Sequence, residues 1–128
     1  MNQPINIRKA IKSFRYAGVG IFTLFRYENN AKIHLLAAVV VFVAGIFFKI
    51  SNIEWCIIII QIALVWAAEA FNTAIEKIAD MISSTYHPTI KIIKDVAAAG
   101  VLILAISAIF VACFIFLPKI WDIFQTIN

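Results

Sequence analysis

Three apolar runs leave this chain few folds to choose from. Ile33 to Phe48, Trp55 to Ala68 and Val96 to Pro118 hold 16, 14 and 23 residues, 53 of 128 positions, and no acidic or basic side chain falls inside them except His34. The whole chain is 63% hydrophobic and only 14% charged, whereas an ordinary soluble domain is near half apolar and a quarter charged. That excludes a soluble monomer. The pattern predicts an all-α integral membrane protein with three transmembrane helices and, before them, an amphipathic surface helix.

The predicted spans are 31–50, 54–82 and 91–117. The middle run is short, yet no helix breaker intervenes before Ser83, so Glu54 to Ile82 makes a helix of about 43 Å that crosses the hydrocarbon and extends beyond it. Its polar residues therefore lie within the helix. Residues 5–27 show a separate pattern: Ile7, Ile11, Phe14, Gly18, Ile21, Phe22 and Phe25 fall in one arc, and Arg8, Lys12, Arg15 and Arg26 in the adjoining one. This predicts an interfacial helix along the leaflet. Glu28-Asn29-Asn30 is expected to turn the chain into the first span, and Ser83 to Thr89 to form the main loop. One domain, 1–128, accommodates all of this, with no internal repeat.

Basic residues fix the expected orientation. Nine of them, Arg8, Lys9, Lys12, Arg15, Arg26, Lys32, Lys77, Lys91 and Lys94, share one side, against Lys49 and Lys119 on the other. The positive-inside rule then places the N-terminus in the cytoplasm and the C-terminus outside. A net charge of +4 suits anionic lipid heads and phosphate without any nucleic acid. Residues 1–20 lack an uninterrupted apolar core, which argues against a cleaved signal peptide. Cys56 and Cys113 form no CxxC or Cys/His pattern and read as apolar fillers.

Chemistry concentrates on the second span. Glu69, Asn72, Thr73, Glu76 and Asp80 occupy one helical stripe, with Glu69 deepest in the bilayer. Ionisable groups at that depth are expensive and face a cavity, a metal or a partner. Lys94-Asp95 stands at a similar depth on the third span, and Ala97-Ala98-Ala99-Gly100 permits close helix approach. Glu28 joins the same layer. Carboxylates beside a lysine suit Mg²⁺ and polyphosphate. Structural readings stand beside this one: Glu76 and Lys94 as an interhelical ion pair, Asn72 and Thr73 as interhelical hydrogen-bonding groups, His34 and His87 as structural residues, and Tyr16, Tyr27 and Tyr86 as interfacial aromatics. A proton- or ion-conducting subunit using Glu69, Glu76 and Asp95 remains an alternative, as does a non-catalytic adaptor. No GxxxxGK[ST], GxGxxG or HRD/DFG set is present, so any ATP site here is built from helices.

The segments Ala68-Glu69-Ala70-Phe71-Asn72-Thr73-Ala74-Ile75-Glu76-Lys77, Tyr86-His87-Pro88 and Lys94-Asp95-Val96-Ala97-Ala98 resemble the signature of the prokaryotic diacylglycerol kinase family. The resemblance runs from about Arg8 to Pro118. Ser13 to Ala17 and Asn30 to His34 resemble its undecaprenol kinase branch. It implies an ATP- and Mg²⁺-dependent lipid kinase of the bacterial cytoplasmic membrane, homotrimeric, with sites between subunits and cytoplasmic chemistry. Glu69 then matches the general base, Glu28 and Glu76 the metal carboxylates, and Lys9, Tyr16, Glu28, Glu76, Tyr86, His87, Lys94 and Asp95 the ATP contacts. Asn72, with Glu69, matches the lipid-substrate side. Thr85 departs from the glutamate many members carry there, which leaves that loop position without its carboxylate. Undecaprenol and diacylglycerol both present a primary hydroxyl, and no residue chooses between them.

Overall fold

The computed structural model describes residues 6–127. It contains four α-helices: α1 (Ile7–Tyr27), α2 (Asn29–Phe47), α3 (Asn52–Ile82) and α4 (Pro88–Ile127). The last three are long and apolar enough to cross a membrane, and most of their large apolar side chains are exposed on the single chain. This is the surface of a multi-pass membrane protein, whose apolar exterior meets lipid or a partner helix.

Asn6 caps α1 by accepting a hydrogen bond from the Lys9 backbone N–H at 3.1 Å. Only Leu24 of this helix is buried, and Phe25 packs edge-on against Trp66 of α3 with ring centroids 5.2 Å apart. Docking is thus confined to the last turn. The expected three-residue break after α1 is a single residue, Glu28, in extended backbone (φ −101°, ψ 120°), while Asn29 and Asn30 already belong to α2. One extended residue redirects the chain because its N–H still closes the end of α1 on the Leu24 carbonyl.

The opposite end carries the best-packed core. Ile50, Ile58 and Ile115 are buried together, with Val41, Phe48, Trp55 and Phe116 against them. The chain leaves α2 through paired bonds, Ile50 N–H to the Gly45 carbonyl and Lys49 N–H to that of Ile46. This is a Schellman-type ending, with Lys49 at φ 51° where glycine is usual. Gly45 has no room for more: a Cβ there would stand 2.7 Å from the Trp55 ring. Ser51 and Glu54 then form a reciprocal capping box for α3, and the other Glu54 oxygen pairs with Lys119 of α4 at 3.0 Å.

Two expected boundaries move at α4. The helix starts at Pro88, so the loop is 83–87, because proline's missing N–H costs nothing in a first turn. It also continues through Pro118 to Ile127, where an end at Leu117 was expected. Proline removes one backbone bond from a long apolar helix without ending it, and the Lys119–Glu54 pair holds the next turn.

Candidate functional site

Trp66 to Asp80 of α3 form the framework of the site. Glu69 is 1% exposed and Asn72 6%, the two buried polar residues among those described. Asn72 Nδ2 donates to Glu76 Oε1 at 3.3 Å, which aims the Glu76 carboxylate back along the helix. Four atoms here are buried with no hydrogen-bond partner: Trp66 Nε1, Glu69 Oε2, Asn72 Oδ1 and Thr73 Oγ1. Native interiors leave few such groups, so four within eight residues mark a place built to meet something else.

Other elements converge on this stripe. Glu28 stands at the N-cap position of α2 but makes no side-chain cap bond. Its carboxylate faces Lys77 of α3 instead, at 3.7 Å. Glu28, Glu76 and His34 are the charged or titratable neighbours that act on Glu69 through space, so three carboxylates share one layer. From α4, Lys94 Nζ donates to Asp80 Oδ1 at 2.9 Å, with Glu76 as a further acidic neighbour. The Glu76–Lys94 ion pair that similar depth allowed is replaced by Asp80–Lys94, one helical turn further along α3.

The single chain therefore gathers Glu28, Glu69, Asn72, Glu76 and Lys94. It does not gather the remaining candidates. Asp95 pairs with Lys91 one turn back on its own helix. Tyr86 is 79% exposed, and His87 beside it in the 83–87 loop is exposed too. Lys9 and Tyr16 lie on the exposed part of α1: Tyr16 is 71% exposed, and Lys9 stands about 28 Å along the helix axis from Glu28 at ~1.5 Å per residue.

Among the described residues no three His, Cys, Asp or Glu groups form a metal cage. Mg²⁺ needs none, since it takes one or two carboxylates and fills its octahedron with water and substrate phosphates. Glu28 and Glu76 fit that role because neither carboxylate is committed to a backbone cap. The sequence put Asp80 on the polar stripe and Lys77 among the basic residues of that side but predicted neither as an ion-pair partner, and it gave no role to Trp66. Trp66 had a signal, its place three residues before Glu69 on the same helix face; the two ion-pair partners had none, because a sequence does not carry the rotation of one helix against the next.

Known proteins match this chain over nearly its whole length. It is 39% identical to the undecaprenol kinase of Bacillus subtilis over 89% of the chain and 93% of that protein. It is 35% identical to a diacylglycerol kinase of Synechocystis over 84% of the chain and 62% of that longer protein. With the diacylglycerol kinase of Escherichia coli K12 it shares 28% over 88% and 92%. The family model described as prokaryotic diacylglycerol kinase matches residues 15–116, a stretch that includes Glu28, Glu69, Glu76 and Lys94. The chain belongs to the prokaryotic diacylglycerol kinase family, whose members are membrane lipid kinases.

Proposed function

We propose that this lipid kinase transfers the γ-phosphate of ATP to the primary hydroxyl of a membrane lipid alcohol, undecaprenol or diacylglycerol, with Glu69 as general base. One observation supports the reading: a carboxylate 1% exposed inside an apolar span, with an oxygen that no group among the described residues engages. A lipid hydroxyl approaching from the bilayer meets that oxygen and gives it its proton. Glu28 and Glu76 would hold Mg²⁺, which supplies charge neutralisation at the β- and γ-phosphates when bound. Lys94, oriented by Asp80, supplies a point charge for the terminal phosphate.

The remaining contacts come from a second subunit of a homotrimer. Lys9 and Tyr16 lie too far along α1 to reach the acidic layer of their own chain, and a neighbouring chain packed against α1 brings them to its own nucleotide. Asn72 holds Glu76 in place and sits beside the lipid. Tyr86, His87 and Asp95 border the nucleotide from the loop and from α4. The nine basic residues on that side support a cytoplasmic position for the layer and the N-terminus.

Purified protein with labelled ATP, Mg²⁺ and undecaprenol or diacylglycerol, side by side in one bilayer composition, tests the reading. Labelled lipid phosphate is expected, and the ratio of the two rates identifies the acceptor. No label in either lipid overturns it.

A further inference from the structure

A groove of about 270 Å³ runs between α2, α3 and α4, walled by aliphatic side chains such as Val41, Ile62, Val65, Ile109 and Ala112. Its hydrogen-bonding side chains are His34, Gln61 and Trp66. Gln61 already has a task, since its Nε2 donates to the Leu104 carbonyl at 3.0 Å. Trp66 does not, because its indole N–H is buried and without a partner. The groove lies next to the acidic layer: Trp66, which lines it, stands three residues before Glu69 on the same helix face, and His34, which also lines it, is an electrostatic neighbour of Glu69.

The two unpartnered atoms are complementary. Indole nitrogen can only donate a hydrogen bond, and an ionised carboxylate can only accept one. They are not bonded to each other. A group that meets both with one atom accepts and donates there, which is what an alcohol hydroxyl does. The aliphatic walls then take the chain attached to that hydroxyl, since hydrocarbon is the only part of a lipid that loses nothing there.

We infer that Trp66 orients the acceptor: its Nε1–H donates to the oxygen of the lipid hydroxyl, whose own hydrogen points to Glu69 Oε2, while the hydrocarbon tail lies in the α2–α3–α4 groove. This rests on the lipid kinase reading above. In the transfer the alcohol oxygen bonds to the γ-phosphorus and the bond from that phosphorus to the β,γ-bridging oxygen breaks. ADP leaves, and the hydroxyl proton passes to Glu69. Trp66 keeps its proton throughout, so its effect is on the approach of the oxygen.

Trp66→Phe removes the N–H and keeps a ring against Phe25. Its kcat/KM for the lipid alcohol is expected to fall about tenfold, as loss of a buried hydrogen bond does, with the KM for ATP unchanged. A second measurement needs no turnover. Without nucleotide, a long-chain primary alcohol should shift the tryptophan emission of the native chain to the red, and the alkane of equal length should not. Subtracting the emission of Trp66→Phe isolates Trp66 from Trp55 and Trp121. Equal kcat/KM in native and variant chains, or the same emission response to alcohol and alkane, overturns the inference and leaves the kinase reading standing. A native chain that phosphorylates no lipid alcohol removes that reading, and the inference with it.

Discussion

Glu69 and Glu76 are two turns apart on one helix, and what surrounds each predicts different failures. Glu69 has one oxygen without a partner among the described residues and lies one helical turn beyond Trp66, which lines the apolar groove. Glu69→Gln is expected to lower kcat by a factor on the order of 10²–10⁴, the usual worth of a general base, with Mg²⁺-ATP affinity nearly unchanged. Glu76, held by Asn72 and with Lys94 as a charged neighbour, is the carboxylate proposed for the metal. Glu76→Gln should raise the Mg²⁺ and ATP concentrations required, and excess Mg²⁺ should recover part of the loss by mass action. Metal-dependent nucleotide binding by both variants checks the pair, and the reverse pattern exchanges the two roles. Glu69 was legible in the sequence because a carboxylate bordering an apolar run has few explanations. The Lys94–Asp80 pair was not, since depth along a helix can be counted from the sequence while its facing cannot.

At the level of elements, composition located the helices and local stereochemistry set their ends. Glu28 breaks the chain alone because one extended residue suffices, and Pro118 does not end α4 because its neighbours hold the helix on both sides. Neither outcome follows from hydrophobic periodicity. The turn after α2 provides a test of this local control. Gly45→Ala forces a methyl into the Trp55 ring and should destabilise by about 1–3 kcal/mol, whereas Lys49→Gly relieves a left-handed side-chain residue and should stabilise by about 1 kcal/mol. Thermal unfolding in detergent reads both. For α1, replacing Lys9, Lys12 and Arg15 together with Gln should raise the KM for ATP roughly tenfold in anionic bilayers while the three spans insert normally. An unchanged KM would confine these charges to topology.

For the whole molecule, the described contacts leave α1 anchored at one end and most of the helical surface bare, to be covered by lipid or by a neighbouring chain. Mixing Glu69→Gln subunits with Lys9→Gln subunits should restore measurable turnover, because the proposed site takes Glu69 from one chain and Lys9 from its neighbour. Recovery is read from labelled lipid, with mixed trimers verified by cross-linking; mixed trimers without recovery would place both residues in one chain's site. The single extended residue between α1 and α2 has a mechanical consequence as well. Glu28 is at once the joint of the chain and a carboxylate proposed for the metal, with no spare residues on either side to absorb a rotation. A tilt of α1 is therefore transmitted directly to that carboxylate, so the lever arm on which the basic face sits also sets the aim of a metal ligand, and the physical state of the surface beneath α1 becomes an input to the chemistry.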